Sequence, residues 1–270
     1  VGPEAAQATA KSYYLALLEW KIGGNHALAD YFGRMPASFR PVAATPTLSN
    51  LWMPKSDPAT RTVIDNFQAN ADTDISSSDG GVRYTVSNLY EGILEDAGSN
   101  LGWVDGDPMN GMTWAEDDGP TSDRGVVFDF DGQASIAFDI PPTASDMRCG
   151  GWLSLRACQG TRHPNTTALN GALDFTVVLR NGDGDESEVD ISNYGNIPPP
   201  FARTGLGSGT GWVNEFSTVR VPLLAFTTER PDFSLENVTE VRLRFGDAGN
   251  APLGRVGLDD LELIWTGVTP

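Results

Sequence analysis

The chain has 270 residues, 40% of them hydrophobic and 20% charged, and its 18 Lys and Arg stand against 36 Asp and Glu for a net charge of −18. That length fits one large β domain with an appendage, or two small domains, and buries enough apolar surface to fold without staples. The negative field repels phosphate backbones and anionic headgroups, and no apolar run reaches the roughly 18 residues of a membrane span, so nucleic-acid binding and membrane insertion are not expected.

In chain order, residues 4–22 contain neither Pro nor Gly and place Ala10, Tyr14, Leu17 and Leu18 at helical spacing, which predicts one amphipathic helix. Gly23 and Gly24 end it, and Asn25 is placed to cap a short second helix over 26–32 that contains His26. Pro36, Pro41, Pro46, Pro54 and Pro58 then mark an extended connector. The organisation expected is a helical segment over 1–34, a connector over 35–60 and a β module over 61–267. The chain begins at Val1 with no initiator Met and no leader, so a mature product or a fragment is expected.

From about residue 60, alternating runs rich in Val, Phe, Ile and Thr recur between Gly, Asp and Asn clusters. Strands are predicted near 62–68, 82–90, 125–131, 134–140, 151–158, 173–180, 187–192, 216–224, 239–245 and 254–265. A succession of strands without helical pattern between them predicts a mainly β fold, a two-sheet antiparallel jelly-roll sandwich with a short N-terminal α-helical segment. Pro222 implies a sheet edge. Phe175, Val177 and Leu179 should face the core, opposite Thr176, Val178 and Arg180, and Val241, Leu243 and Phe245 should do so opposite Arg242 and Arg244.

Chemistry is sparse. The string GLGSGTG at 205–211 fails the nucleophile-elbow pattern, because Leu206 and Thr210 stand where glycines should flank Ser208. His26 and His163 lie outside any zinc spacing. No residue is therefore assigned as catalytic. Glu186, Glu188 and Asp190 alternate onto one side of a strand, the arrangement an acid–base pair would need, but the strand reads as a solvated edge. Residues 181–192 depart from a calcium loop at Glu186 and Ser192, and read as a hairpin turn. Cys149 and Cys158 would stand roughly 30 Å apart on one extended strand, beyond disulfide reach, and two cysteines exclude a disulfide-dense scaffold.

Two groupings remain. If the first and last strands lie side by side, Asp65, Asp259 and Asp260 converge on one hard cation, and a structural Ca²⁺ is expected there. Trp103, Trp114 and Trp212 lie in Gly/Asp-rich loops and, with Arg162 and His163, supply the aromatic platform and hydrogen-bonding groups that a sugar needs.

The ending GRVGLDDLELIW, with VIDNFQ, GWLSLRAC and STVRVPLLAF, resembles the galactose-binding-like jelly rolls used as carbohydrate-binding modules. The resemblance covers about 60–267 and implies a β-sandwich, a structural calcium near the first and last strands, and a ligand site on a concave face or at loop tips. The front end, AKSYYLALLEWKIGGNHALADYFG, is similar to the final helix of secreted bacterial α/β-hydrolases of lipase or esterase type. That similarity implies a catalytic Ser, Asp and His upstream of this chain, and none carries over onto it. The expectation is a non-catalytic accessory module of a secreted or cell-surface hydrolase-like protein that binds polysaccharide or surface glycan. The alternative is a structural protein that assembles with copies of itself, or with an upstream domain, through helix 4–22.

Overall fold

The computed structural model describes residues 3–25, 28, 61–68, 72–94, 111–112, 124–203, 211–214 and 216–265. It divides into two compact units, Val1–Lys55 and Ser56–Pro270. In the first, helix α1 runs from Pro3 to Lys21, and its Tyr14, Leu15 and Leu18 are exposed, as is Ile22 just after it. No helix among the described residues is long and apolar enough to cross a membrane.

The second unit is a sandwich of two antiparallel sheets. Its strands are β1 (Arg61–Asp65), β2 (Val82–Tyr84), β3 (Ser87–Ile93), β4 (Arg124–Asp131), β5 (Ala134–Asp139), β6 (Gly150–Gln159), β7 (Thr176–Asn181), β8 (Glu186–Asp190), β9 (Phe201–Arg203), β10 (Gly211–Val213), β11 (Ser217–Pro222), β12 (Val238–Phe245) and β13 (Leu253–Trp265). One sheet has six strands, in the order β11-β6-β13-β4-β3 with β1 also on β13. The other has five, in the order β2-β5-β12-β7-β8, and β9 and β10 form a separate pair. Fold class, edge position of Pro222 and alternation of faces all follow the sequence expectation.

Between the sheets lies one apolar layer. Phe128, Phe130, Leu153, Leu155, Val256, Leu258 and Leu263 come from the six-stranded sheet, and Ile136, Phe138, Val177, Leu179, Val241, Leu243 and Phe245 from the five-stranded one. The Phe245 ring is the hub, with ring centres of Phe128, Phe130 and Phe175 at 5.2, 5.1 and 5.0 Å. Tilted aromatic packing at this spacing adds to the area buried. The first and last strands do lie side by side, Arg61 opposite Ile264 and Asp65 opposite Leu261.

Three local expectations need correction. The run 82–90 is two strands, because at Thr85 and Val86 the chain passes from one sheet to the other. The Thr85 amide donates to the Ser135 carbonyl, and the Thr85 hydroxyl accepts from the Ser135 amide. The predicted strand 216–224 stops at Pro222, which ends the ladder, and helix α3 (Leu223–Glu229) follows it. Leu223 and Phe226, three apart, bury one face of that helix. A short helix, α2 (Pro164–Leu169), also escaped the strand pattern.

Candidate ligand-binding face

The five-stranded sheet turns a charged face away from the core. On β12 the outward residues are Glu240, Arg242 and Arg244. They stand opposite Asp139, Ala137 and Ser135 of β5 and opposite Arg180, Val178 and Thr176 of β7. Beyond β7, Arg180 and Val178 pair with Glu186 and Glu188 of the edge strand β8. Arg242 reaches across β7 to donate to Glu186 at 2.6 Å, and Arg244 to Glu188 at 2.7 Å. Asp247 also accepts from Arg244. On the other flank Arg83 makes a two-pronged contact with Asp139 at 2.7 and 2.8 Å and a third bond to Glu240 at 2.8 Å. Those bonds, to Asp139 first and Glu240 second, hold the Arg83 guanidinium in its charged form well above the ordinary arginine value.

Above this ladder lies an open groove of about 610 Å³, lined by Thr85, Gln133, Ser135, Glu186, Arg242, Arg244 and Asp247. Arg242 lies between Glu186 and Glu240, and Arg244 between Glu188 and Asp247, so both guanidiniums are held in place before a ligand arrives. That arrangement suits a chain of hydroxyls, which donate to the carboxylates and accept from the guanidiniums.

Of the ligand-binding residues predicted from sequence, Arg162 and His163 do not line this groove. Trp103 and Trp114 fall outside the described residues. Trp212 is in β10, opposite Ala202 of β9. Arg162 and His163 follow β6, with Arg162 at φ 59°. The described residues Gly111, Thr161 and Asn214 come together over the outward face of the six-stranded sheet. The Gly111 carbonyl accepts from the Thr161 amide at 2.7 Å and from the Asn214 side chain at 3.2 Å. Beneath them Met112, Val127, Cys158 and Leu94 form a small buried cluster. Burial pushes the Cys158 thiol up to about 12, and both cysteines are free thiols, Cys149 exposed and Cys158 buried.

His163 is held rather than open. Its Nδ1 accepts from the Asn165 amide at the start of α2, and its Nε2 lies 3.5 Å from Asp129. Asp129 also accepts from Arg255 at 3.0 Å and from Asn88 at 2.8 Å. Burial lowers the His163 pKa, against the pull of Asp129 and with the help of Arg255. Because Nδ1 accepts a hydrogen bond, the proton of the neutral imidazole sits on Nε2, toward Asp129. Asn88, Asp129 and Arg255 were not singled out in the sequence. Their signal is long-range, since Arg255 meets Asp129 only through the register of β13 against β4.

Asp65 and Asp259 have different hydrogen-bond partners. Asp65 accepts from the amides of Phe67 at 2.9 Å and Ser77 at 3.2 Å. It lines a space of about 10 Å³ with Asp72 and Glu91, room for about one water molecule. Burial, reinforced by the Asp65 charge, raises the Glu91 carboxyl to about 7, and its Oε1 has no hydrogen-bond partner among the described residues. Asp259 instead faces Arg156, which donates to it at 2.9 Å. Among the described residues no group of three or more His, Cys, Asp or Glu is arranged to hold a metal.

No family model matches the chain, and no curated protein does. Among solved structures, the family 11 carbohydrate-binding module of the cellulosomal cellulase Lic26A-Cel5E of Clostridium thermocellum is similar at 11% identity over 76% of this chain and 95% of that one, with a TM-score of 0.38. The family 11 module from Clostridium thermocellum in complex with a β-1,3-1,4-mixed-linked tetrasaccharide gives 11% identity, 76% and 96% coverage and a TM-score of 0.40. An exo-β-agarase gives 9% identity over 77% of this chain and 25% of the enzyme, with a TM-score of 0.45.

Proposed function

We propose that the sandwich unit is a non-catalytic carbohydrate-binding module that holds a neutral polysaccharide in the groove over β5, β12 and β8. The observation that carries this reading is the groove itself, an open trough whose Arg242 and Arg244 are fixed by Glu186, Glu188 and Asp247 and flanked by Gln133 and Ser135. The resemblance of the strand sequences to galactose-binding-like modules supports the same class of ligand. Carboxylates outnumber arginines on this face, and the chain as a whole carries −18, which disfavours uronate or sulfated glycans. In this reading the module contributes attachment to a larger secreted hydrolase-like protein and breaks no bonds itself.

Affinity electrophoresis through a panel of neutral and acidic polysaccharides tests it. The chain should be retarded by a neutral polysaccharide. R242M and R244M should each lose that retardation, while W212A keeps it. Migration unaffected by every polysaccharide contradicts the function. Retardation lost in W212A and kept in R242M and R244M contradicts the site.

A further inference from the structure

Two successive aspartates cannot both face one side of a regular strand, because neighbouring side chains alternate. In β13 the register against β6 slips between Asp259 and Glu262, and Asp260 takes φ 47°. This is bulge geometry, which re-aims a side chain. Both carboxylates therefore reach the same nitrogen of Arg156, Asp259 at 2.9 Å and Asp260 at 3.6 Å. Arg156 stands directly opposite Asp259 across the β6–β13 pair. The Phe216 ring, 5.3 Å from its Cζ, adds a cation–π contact.

The aspartate side chains are only 3% and 9% exposed. Carboxylates so deeply buried require a compensating positive charge. A divalent cation is one way to supply it, and paired aspartate oxygens are the hard donors that calcium takes. A guanidinium is another, planar and permanently charged. We infer that Arg156 is the resident cation of this position: it fills the place that Asp259 and Asp260 would otherwise offer to a metal, and the last strand closes on its neighbour without a divalent ion. The bulge serves the arginine, turning the second carboxylate toward it.

Calorimetric melting of the whole chain in calcium chloride and in EDTA tests this, with D259N, R156K, R156M and R156M/D259N beside the wild type. The wild type should melt at the same temperature in both solutions. R156M should melt roughly 5–10 °C lower in EDTA and recover part of the loss in calcium, because the vacated carboxylates then accept the ion. R156M/D259N should not respond. R156K, which keeps the charge without the planar fork, serves where R156M does not fold, and should melt a few degrees low and be indifferent to calcium. Calcium stabilisation of the wild type that D259N abolishes overturns the inference, as does an R156M protein that melts like the wild type or gains nothing from calcium.

Discussion

At the scale of single residues, Glu91 couples the fold to pH. It is buried beside Asp65 and Asp72, and its folded pKa is about 7 against an ordinary value of 4.5. A carboxyl raised in this way stabilises the fold fully below about pH 4.5, and the contribution is lost as pH rises through 7. The shift corresponds to roughly 3 kcal/mol at most. E91Q, a neutral side chain of the same shape, should match the wild type at pH 5 and exceed its stability at pH 8 in urea titrations. Equal stability of the two proteins at both pH values would show that Glu91 does not titrate as described. His163 has the opposite sign. Its lowered pKa makes its contribution present above the usual imidazole value of 6.5 and lost as pH falls.

At the scale of elements, β12 is central to both the core and the face. Val241, Leu243 and Phe245 point inward while Arg242 and Arg244 point outward, and that alternation was legible in the sequence because it is local. Where β12 ends, Gly246 has φ 71°, and a Cβ there would run into the Gly132 backbone of the β4–β5 turn. G246A should cost about 3 kcal/mol by denaturant unfolding, and a loss below about 0.5 kcal/mol would contradict the close approach. R244M is the converse case. Glu188 is well exposed and Asp247 is mostly buried, so removing both ion pairs should cost about 1–2 kcal/mol while abolishing glycan binding. A variant that loses both together would make Arg244 a structural residue.

The parts missed by sequence reasoning share a cause. Glu186 and Glu188 were recognised as an outward row, but their partners on β12 lie 56 residues away and become neighbours only through the order β12-β7-β8. Asp129 and Arg255 were missed for the same reason. His163 was found because its type stands out in a chain with two histidines. The acidic pair Asp259–Asp260 was also conspicuous, but a bulge, rather than the alternation that the sequence displays, decides where its carboxylates point. The helix α3 was hidden because its apolar residues directly continue those of β11.

At the scale of the whole molecule, the sandwich presents two faces of different character. The outward face of the six-stranded sheet carries the packed loop segments around Gly111, Thr161 and Asn214, and its charged side chains are largely buried. The outward face of the five-stranded sheet carries the open groove. In the proposed function, a molecule with an excess of 18 negative charges recruits a polymer by matched hydrogen bonds rather than by long-range attraction. The most direct measurement is a backbone amide NMR titration with the neutral polysaccharide that retards the chain. The account predicts shifts concentrated at Ser135, Glu186, Arg242, Arg244 and Asp247. Shifts centred instead on His163, Trp212 and Asn214, with β12 silent, would contradict it.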